Sequence, residues 1–522
     1  MNYPHYDVVI VGAGVAGSAL AHALATIPRS RPLQIALVER SFSEPDRIVG
    51  ELLQPGGLQA LRALGMAAAV EGIDAVTVGG YVLVDQDGES VTIPYPEGKE
   101  GRSFHHGRFV MGLRRIARTH LNVHAIEATA VDFIEEGDGD SARVRGIRAA
   151  YKAPSAPVYS SNFIKKDPDA PTPTLTPAET PVEHSNIYGS LVIVADGCFS
   201  NFRSIVMGKA GCRPTTKSYF VGTVLQDVEL PVPKHGTVIL PQGNGPVLLY
   251  QVAERDTRML IDIQHPMPAD LRTYILTEIV PKMPLSLQPA ITAAFSGTSR
   301  IRRMPNSFLP SVQQGSSLSK SGVILLGDSW NMRHPLTGGG MTVALNDVVY
   351  LRAVFEALVM AEKNLDDWDE VRGRMRDWHW GRKPLSSTIN ILSGTLYGLF
   401  EKDDDDYRAL RKGCFKYFQR GGKCIEDPVS LLSGLAPSPL LLSTHFFAVI
   451  FYAIWVIFTH PRLQLQHTVH GGMDAKAVMH RPGVNEYPAL TLKGARMFSE
   501  AVKVFLPVLW SEIRWWAPNS EL

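Results

Sequence analysis

The apolar positions open with a run at 7–11 (DVVIV), β-branched and without alternation, which predicts a strand buried on both faces. A glycine-rich stretch, 12–17, interrupts it. Residues 18–26 are small and predict a helix, and 34–38 form a second apolar run ending at Glu39-Arg40. That order is a βαβ unit. Residues 143–151 and 190–195 predict two further strands. Between them, roughly 152–186 is rich in Pro, Ser and Thr. Prolines cannot join a ladder and the polarity cannot fill a core, so this stretch predicts a disordered or polyproline-like surface loop.

Residues 216–265 hold short alternating runs at 219–224, 236–240, 247–252 and 259–263, which predict an antiparallel sheet. An apolar run at 323–326 returns to the parallel type. From about 343 the chain reads as mostly helical. Residues 440–458 are apolar except for Ser443, Thr444 and His445, just long enough as a helix to cross a hydrocarbon layer of ~30 Å. Residues 502–516 mix Phe505, Trp510, Trp515 and Trp516 with Lys503, Glu512 and Arg514, a pairing suited to a membrane interface. The expected fold is α/β: a nucleotide-binding Rossmann-like domain interleaved with an antiparallel-sheet substrate domain, followed by a helical, membrane-associated region. The expected boundaries are 1–80, 105–210 and 315–360 for the first domain, 81–104 and 211–314 for the second, and 361–522 for the helical region.

Composition changes this picture little. With 522 residues the chain holds two or three domains, and a net charge of +1 gives no global drive toward nucleic acid. The four cysteines, Cys198, Cys212, Cys414 and Cys424, show no C-x-x-C spacing, which predicts free thiols in a reducing compartment. The residues before the first strand are not an apolar signal segment, so the body is expected to face the cytosol.

Three stretches carry chemistry. Gly12, Gly14 and Gly17 form G-x-G-x-x-G between strand and helix, with Glu39 at the end of the second strand. Glycines admit a pyrophosphate to backbone N–H groups at a helix N-terminus, and the acid can hold a ribose diol. The motif does not separate NAD from FAD. The second stretch, VADGCFSNFR at 194–203, ends a strand in Asp196-Gly197. The third, GDSWNMRHPLTGGGM at 327–341, places Asp328 at a strand end, where it can accept from a polyol such as a ribityl chain. Gly338, Gly339 and Gly340 then precede a predicted helix whose positive end would face a flavin ring and stabilise its negative charge on reduction.

With "VVIVGAGVAGSALAHAL", "VERSFSEPDRIVGELLQPGG", "FHHGRFVMGLRR", "VADGCFSNFR", "GDSWNMRHPLTGGGM" and "GRKPLSSTINILSGTLYGLF", the chain resembles the squalene monooxygenase (squalene epoxidase) family of the FAD-dependent aromatic-hydroxylase-like superfamily. The resemblance runs from residue 7 nearly to the end. It implies FAD, O₂ and squalene, with electrons from an NADPH-dependent cytochrome reductase. Squalene would become (S)-2,3-oxidosqualene by way of a flavin hydroperoxide, in sterol synthesis of the ergosterol type, at the endoplasmic reticulum (microsomal) membrane. It further implies that Val15 and Ala16 touch the FAD phosphates, and that Glu39 and Arg40 hold the adenosine ribose. Arg47 and Arg114 would lie near pyrophosphate and flavin, Leu52 against the flavin, and Ala130 near adenine. Asp328, Pro335 and Met341 would close the cofactor site. Gln54 and Tyr81 match a polar latch near the reacting alkene.

Three features depart from the family pattern. Ser329 and Trp330 follow the Gly-Asp pair, and Trp330 is expected to reshape the pocket wall. The Pro-rich insert is not general. The N-terminal hydrophobic segment of many relatives is not expected here, and attachment would then rest on the C-terminal helices. Two alternatives remain open: a related flavoprotein acting on another lipophilic substrate, and a non-catalytic prenyl-lipid carrier of the GDP-dissociation-inhibitor type.

Overall fold

The structure, a computed structural model, describes residues 5–514 except 86, 140–141, 153–181, 209–212, 298–300, 317–318 and 468–474. One sheet runs in the order Val123–Glu127, Ile35–Glu39, His5–Val11, Val182–Val194, Arg143–Lys152 and Thr129–Glu136. The strand Val182–Val194 is shared. Its first half pairs antiparallel with Arg143–Lys152, while its last three residues pair parallel with Val323–Leu325. Three parallel strands, His5–Val11, Val182–Val194 and Val323–Leu325, therefore end side by side. Each is followed at that edge by one of the chemistry-bearing stretches: Gly12, Asp196 and Asp328. Ligand sites of open parallel sheets lie beyond such carboxyl ends. The apolar runs predicted from sequence are buried on both faces here, with Val8, Val9, Ile10, Ile193 and Ile324 fully enclosed.

A second sheet runs in the order Arg302–Phe308, Thr215–Gln226, Asp256–Gln264, Val247–Gln251, His235–Ile239, Gly80–Val84 and Ser90–Pro94. The four expected runs pair antiparallel with one another. Arg302–Phe308, Gly80–Val84 and Ser90–Pro94 join them, and His235–Ile239 lies parallel to Gly80–Val84. The latter strand enters from the first layer, far away in sequence, so no hairpin forces the antiparallel sense. The ladder between Arg143–Lys152 and Val182–Val194 begins at Lys152↔Val182, so residues 182–186, read as loop, are strand. The rest of the Pro-rich stretch lies outside the described residues.

The C-terminal part is helical as expected: Gly340–Met360, Trp368–Glu401, Asp405–Gln419, Lys423–Leu432, Pro439–Thr459 and Tyr487–Ile513. A hairpin, Arg462–His467 with Ala475–His480, was not foreseen. The helix Pro439–Thr459 packs on Tyr487–Ile513, with Phe446 stacked on Phe505 at 4.0 Å. Only 22% of its most apolar window is buried, and Leu440, Phe451 and Trp455 are exposed, as are Leu506, Trp510 and Ile513 on its neighbour. Trp515 and Trp516 lie outside the described residues.

Candidate active site

A cavity of about 1010 Å³ lies between the two sheets, at the carboxyl edge of the first. All of the predicted cofactor residues line it except Gly17 and Gly339, and Tyr81 lines it while Gln54 does not. The two exceptions have packing reasons. A Cβ on Gly17 would sit 1.9 Å from the Gly12 carbonyl oxygen, and one on Gly339 would sit 2.4 Å from Ile389 Cγ2. By contrast, a Cβ on Gly14 would meet nothing within 4 Å, and one on Gly340 only Arg333 Nη1 at 3.9 Å. Gly17 and Gly339 thus let helices approach, whereas Gly14 and Gly340 present bare backbone to the cavity.

Two helices point their N-termini into this space: Val15–Ala25 from Gly14, and Gly340–Met360 from Gly339. Neither N-cap position supplies a side-chain hydrogen bond. Their first N–H groups are therefore left for a ligand, with the positive end of each dipole behind them. Glu39 takes the Ala13 N–H at 2.8 Å with one carboxylate oxygen and faces Arg114 at 3.5 Å. The Arg114 guanidinium also ties down the loop, donating to the Ala13 carbonyl at 2.8 Å and the Ser43 carbonyl at 3.0 Å. The Asp328 carboxylate accepts no hydrogen bond among the described residues, and one buried Asp196 oxygen is also unpartnered. Open backbone at two helix termini, with an acid near each, is a set of groups that could hold a flavin cofactor.

Sequence reasoning missed the residues that hold these loops together. Arg203 donates to the carbonyls of Ser329 at 2.7 Å, Asp328 at 2.9 Å and Cys198 at 3.0 Å, which clips the second stretch to the third. Glu51 receives a bidentate pair from Arg258 at 2.7 and 2.8 Å, buried at 1% and 6% exposure, and so locks the "GELLQPGG" loop to the second sheet. Burial holds the Glu51 carboxyl above its ordinary range, against the pull of Arg258. His106 Nδ1 lies 2.8 Å from the Gly50 carbonyl; burial, with Arg47 nearby, brings its pKa down to about 4. The imidazole is therefore neutral and donates from Nδ1.

The latch is a group of three. Buried Gln54 donates from one Nε2 to the Tyr81 hydroxyl and to the Thr337 carbonyl at 2.7 Å, and its Oε1 accepts from Tyr95 at 2.5 Å. Tyr95 carried no sequence signal beyond the prolines on either side. Burial pushes the Tyr81 hydroxyl above its usual range, so it stays protonated. Cys198 lines the cavity with its thiol likewise raised by burial; Cys198, Cys414 and Cys424 are free, and Cys212 lies outside the described residues.

Trp330 does not shape the pocket wall. Its ring is 2% exposed, stacks on Trp378 at 4.6 Å under the Arg382 guanidinium, and donates from Nε1 to the Val312 carbonyl at 2.8 Å. It is a core residue behind the Gly-Asp turn.

A squalene epoxidase family model matches residues 188–469. The Candida albicans squalene epoxidase ERG1 is 36% identical over 560 residues, covering 98% of this chain and 100% of that protein. The chain belongs to the squalene epoxidase family. A second family member, the mouse squalene monooxygenase, is 37% identical over 517 residues, covering 98% of this chain and 78% of its own. Among solved structures, p-nitrophenol 4-monooxygenase PnpA from Pseudomonas putida superposes with a TM-score of 0.60 at 14% identity, over 83% of this chain and 98% of that one. At that identity the likeness is one of fold. The interleaved sheets of this chain are arranged as in that protein.

Proposed function

We propose that this chain is a flavin-dependent monooxygenase that uses FAD and O₂ to epoxidise squalene to (S)-2,3-oxidosqualene in sterol synthesis. Electrons would come from an NADPH-dependent cytochrome reductase, and the work would be done at the endoplasmic reticulum membrane with the body in the cytosol. The observation that carries the reading is the pair of uncapped helix N-termini facing one cavity, with Glu39 and Asp328 beside them. FAD bound there supplies the activation of oxygen. The chain's own residues bind, orient and exclude water. Val238, Leu248, Leu260, Met304 and Leu336 give the far wall of the cavity an apolar face. An alkene supplies its own electrons, so that wall needs no nucleophile, metal or strong base, only dryness. Tyr81, fixed by Gln54 and Tyr95, offers the one hydroxyl of the latch that lines the cavity, and it orients the reacting end of the chain. The exposed apolar residues of the last two long helices support contact with the lipid that holds such a substrate. A carrier without catalysis would have no need of the uncommitted Asp328 carboxylate.

Incubation with labelled squalene, FAD, NADPH and the reductase is expected to yield 2,3-oxidosqualene. Flavin-loaded protein that turns over NADPH but leaves squalene intact would refute the substrate. Asp328→Ala is expected to weaken FAD retention at least about tenfold, a loss of ~1.4 kcal/mol, by removing the ribityl acceptor. Unchanged flavin content in the purified variant would refute that role.

A further inference from the structure

Behind the Gly338–Gly340 turn lies a buried group of charges: Arg333 in the loop, Asp347 on Gly340–Met360, Arg382 and Lys383 on Trp368–Glu401, and Glu512 on Tyr487–Ile513. All five are 8% exposed or less. Arg382 is paired with Asp347 at 2.6 and 2.8 Å. Lys383 is paired with Glu512 at 3.0 Å. Arg333 is different. Its guanidinium donates only to neutral acceptors: Asn390 Oδ1 at 2.7 Å, Asn331 Oδ1 at 2.7 Å, the Asn331 carbonyl at 3.0 Å and the Gly340 carbonyl at 3.2 Å. Among the described residues no carboxylate lies within 4.0 Å of it; Asp328, Asp347 and Glu512 act on it from further away. So three buried cations face two buried carboxylates, and the cation left over lines the cavity beside Gly340.

A buried charge without a counter-ion is costly, and a fold keeps one where a ligand completes it. Resting on the FAD reading above, we infer that Arg333 is the counter-charge for the negative charge a flavin ring gains on reduction, and that Glu512 is its positioning residue. The helix terminus at Gly340 contributes partial charge at the same place; Arg333 adds a whole one. Glu512 acts through one amide. Its carboxylate can only accept, so Asn390 must turn its NH₂ toward it, at 2.9 Å, and this leaves Asn390 Oδ1 for Arg333 Nε. Ser387 donates to the same carboxylate at 3.0 Å. Glu512 sits on the helix whose outer face exposes Leu506, Trp510 and Ile513. The C-terminal helix is therefore part of the cofactor site as well as an anchor. Cutting it away would remove the acid that orients Asn390.

The test uses the full-length chain loaded with FAD and reads the flavin's midpoint potential and its oxidised-state Kd. Arg333→Gln keeps donors but loses charge. It is expected to bind oxidised FAD within about threefold of wild type and to lose at least about tenfold of its preference for reduced flavin, a fall of ~30 mV for a two-electron couple. Arg333→Lys is expected to recover most of that loss. Glu512→Ala is expected to lower the potential, although removal of an acid alone would raise it, and Glu512→Gln, which keeps an acceptor for Asn390, is expected to restore it. An unchanged potential in Arg333→Gln, or a raised one in Glu512→Ala, overturns the inference. Should neither variant fold, photoreduced wild type decides. It is expected to hold its flavin in the anionic spectral form below the pH at which free reduced FAD takes up its proton, and a neutral spectrum overturns the inference. Wild type that takes up no FAD at all would instead sink the cofactor reading.

Discussion

The two glycine turns that meet at the cavity are built alike and backed differently. Each presents an uncapped helix N-terminus, with one glycine open to the cavity, Gly14 or Gly340, and one closed by packing, Gly17 or Gly339. Behind the first lies an apolar core of Ile10, Ala19, Leu20 and Val38, with one ion pair, Arg114–Glu39, bracing its loop. Behind the second lie Arg333, Arg382, Asp347, Asn390 and Glu512, buried and joined by hydrogen bonds. Holding a phosphate asks only for backbone amides on a rigid support. Holding a ring whose charge changes with redox state asks for a fixed field, and a low-dielectric charge network supplies one.

That contrast can be broken most forcefully at Asp347. Asp347→Ala strands Arg382 in the core, and urea unfolding is expected to show a loss of ~3–5 kcal/mol. Ile10→Val, behind the first turn, is expected to cost only ~0.5–1.5 kcal/mol. Similar costs at both places would mean the two supports do not differ in kind.

Acid should also loosen the packing beside the second turn. His106 packs beside Gly50 and near Met341, and its folded pKa of about 4 lies below the ordinary 6.5. The unfolded chain therefore binds the proton more readily. Stability is full above pH 6.5 and is lost as pH falls toward 4, by up to about 3 kcal/mol. His106→Asn, which can still donate to the Gly50 carbonyl, is expected to flatten that part of the stability profile. An unchanged slope in the variant would assign the acid sensitivity elsewhere.

A finer cut separates the glycines. Gly17→Ala and Gly339→Ala are expected to lower apoprotein stability by ~1–3 kcal/mol, since each Cβ meets an atom it cannot displace cheaply. Gly14→Ala and Gly340→Ala are expected to leave apoprotein stability within about 0.5 kcal/mol while weakening FAD binding. Calorimetry with and without FAD reads both quantities, and a reversed pattern would undo the assignment of open and closed positions.

The same contrast explains what the sequence made legible. The first turn is written in six consecutive residues after an apolar strand, because local backbone chemistry demands them. The parallel strands, the second sheet and the open glycines could be read for similar reasons. The stretch 331–337 gave no physical role from sequence because its partners are remote. Arg333 meets Asn390 57 positions away, and Asn390 meets Glu512 122 positions away. Glu51 and Arg258 are separated by 207 positions. No period or motif connects such residues; only the folded packing does. Trp330 was misread for the same reason. Beside a ligand loop it looked like pocket wall, but Trp378 and Arg382 draw it into the core.

One titration tests most directly whether the two turns serve a single dinucleotide. On the proposed reading FAD reaches both, whereas FMN reaches only the second. Apoprotein is expected to bind FAD at least about a hundredfold more tightly than FMN, a difference of ~2.8 kcal/mol, and Gly14→Ala should remove most of that advantage while leaving FMN binding unchanged. Equal affinities for FAD and FMN in the wild-type protein would contradict the account.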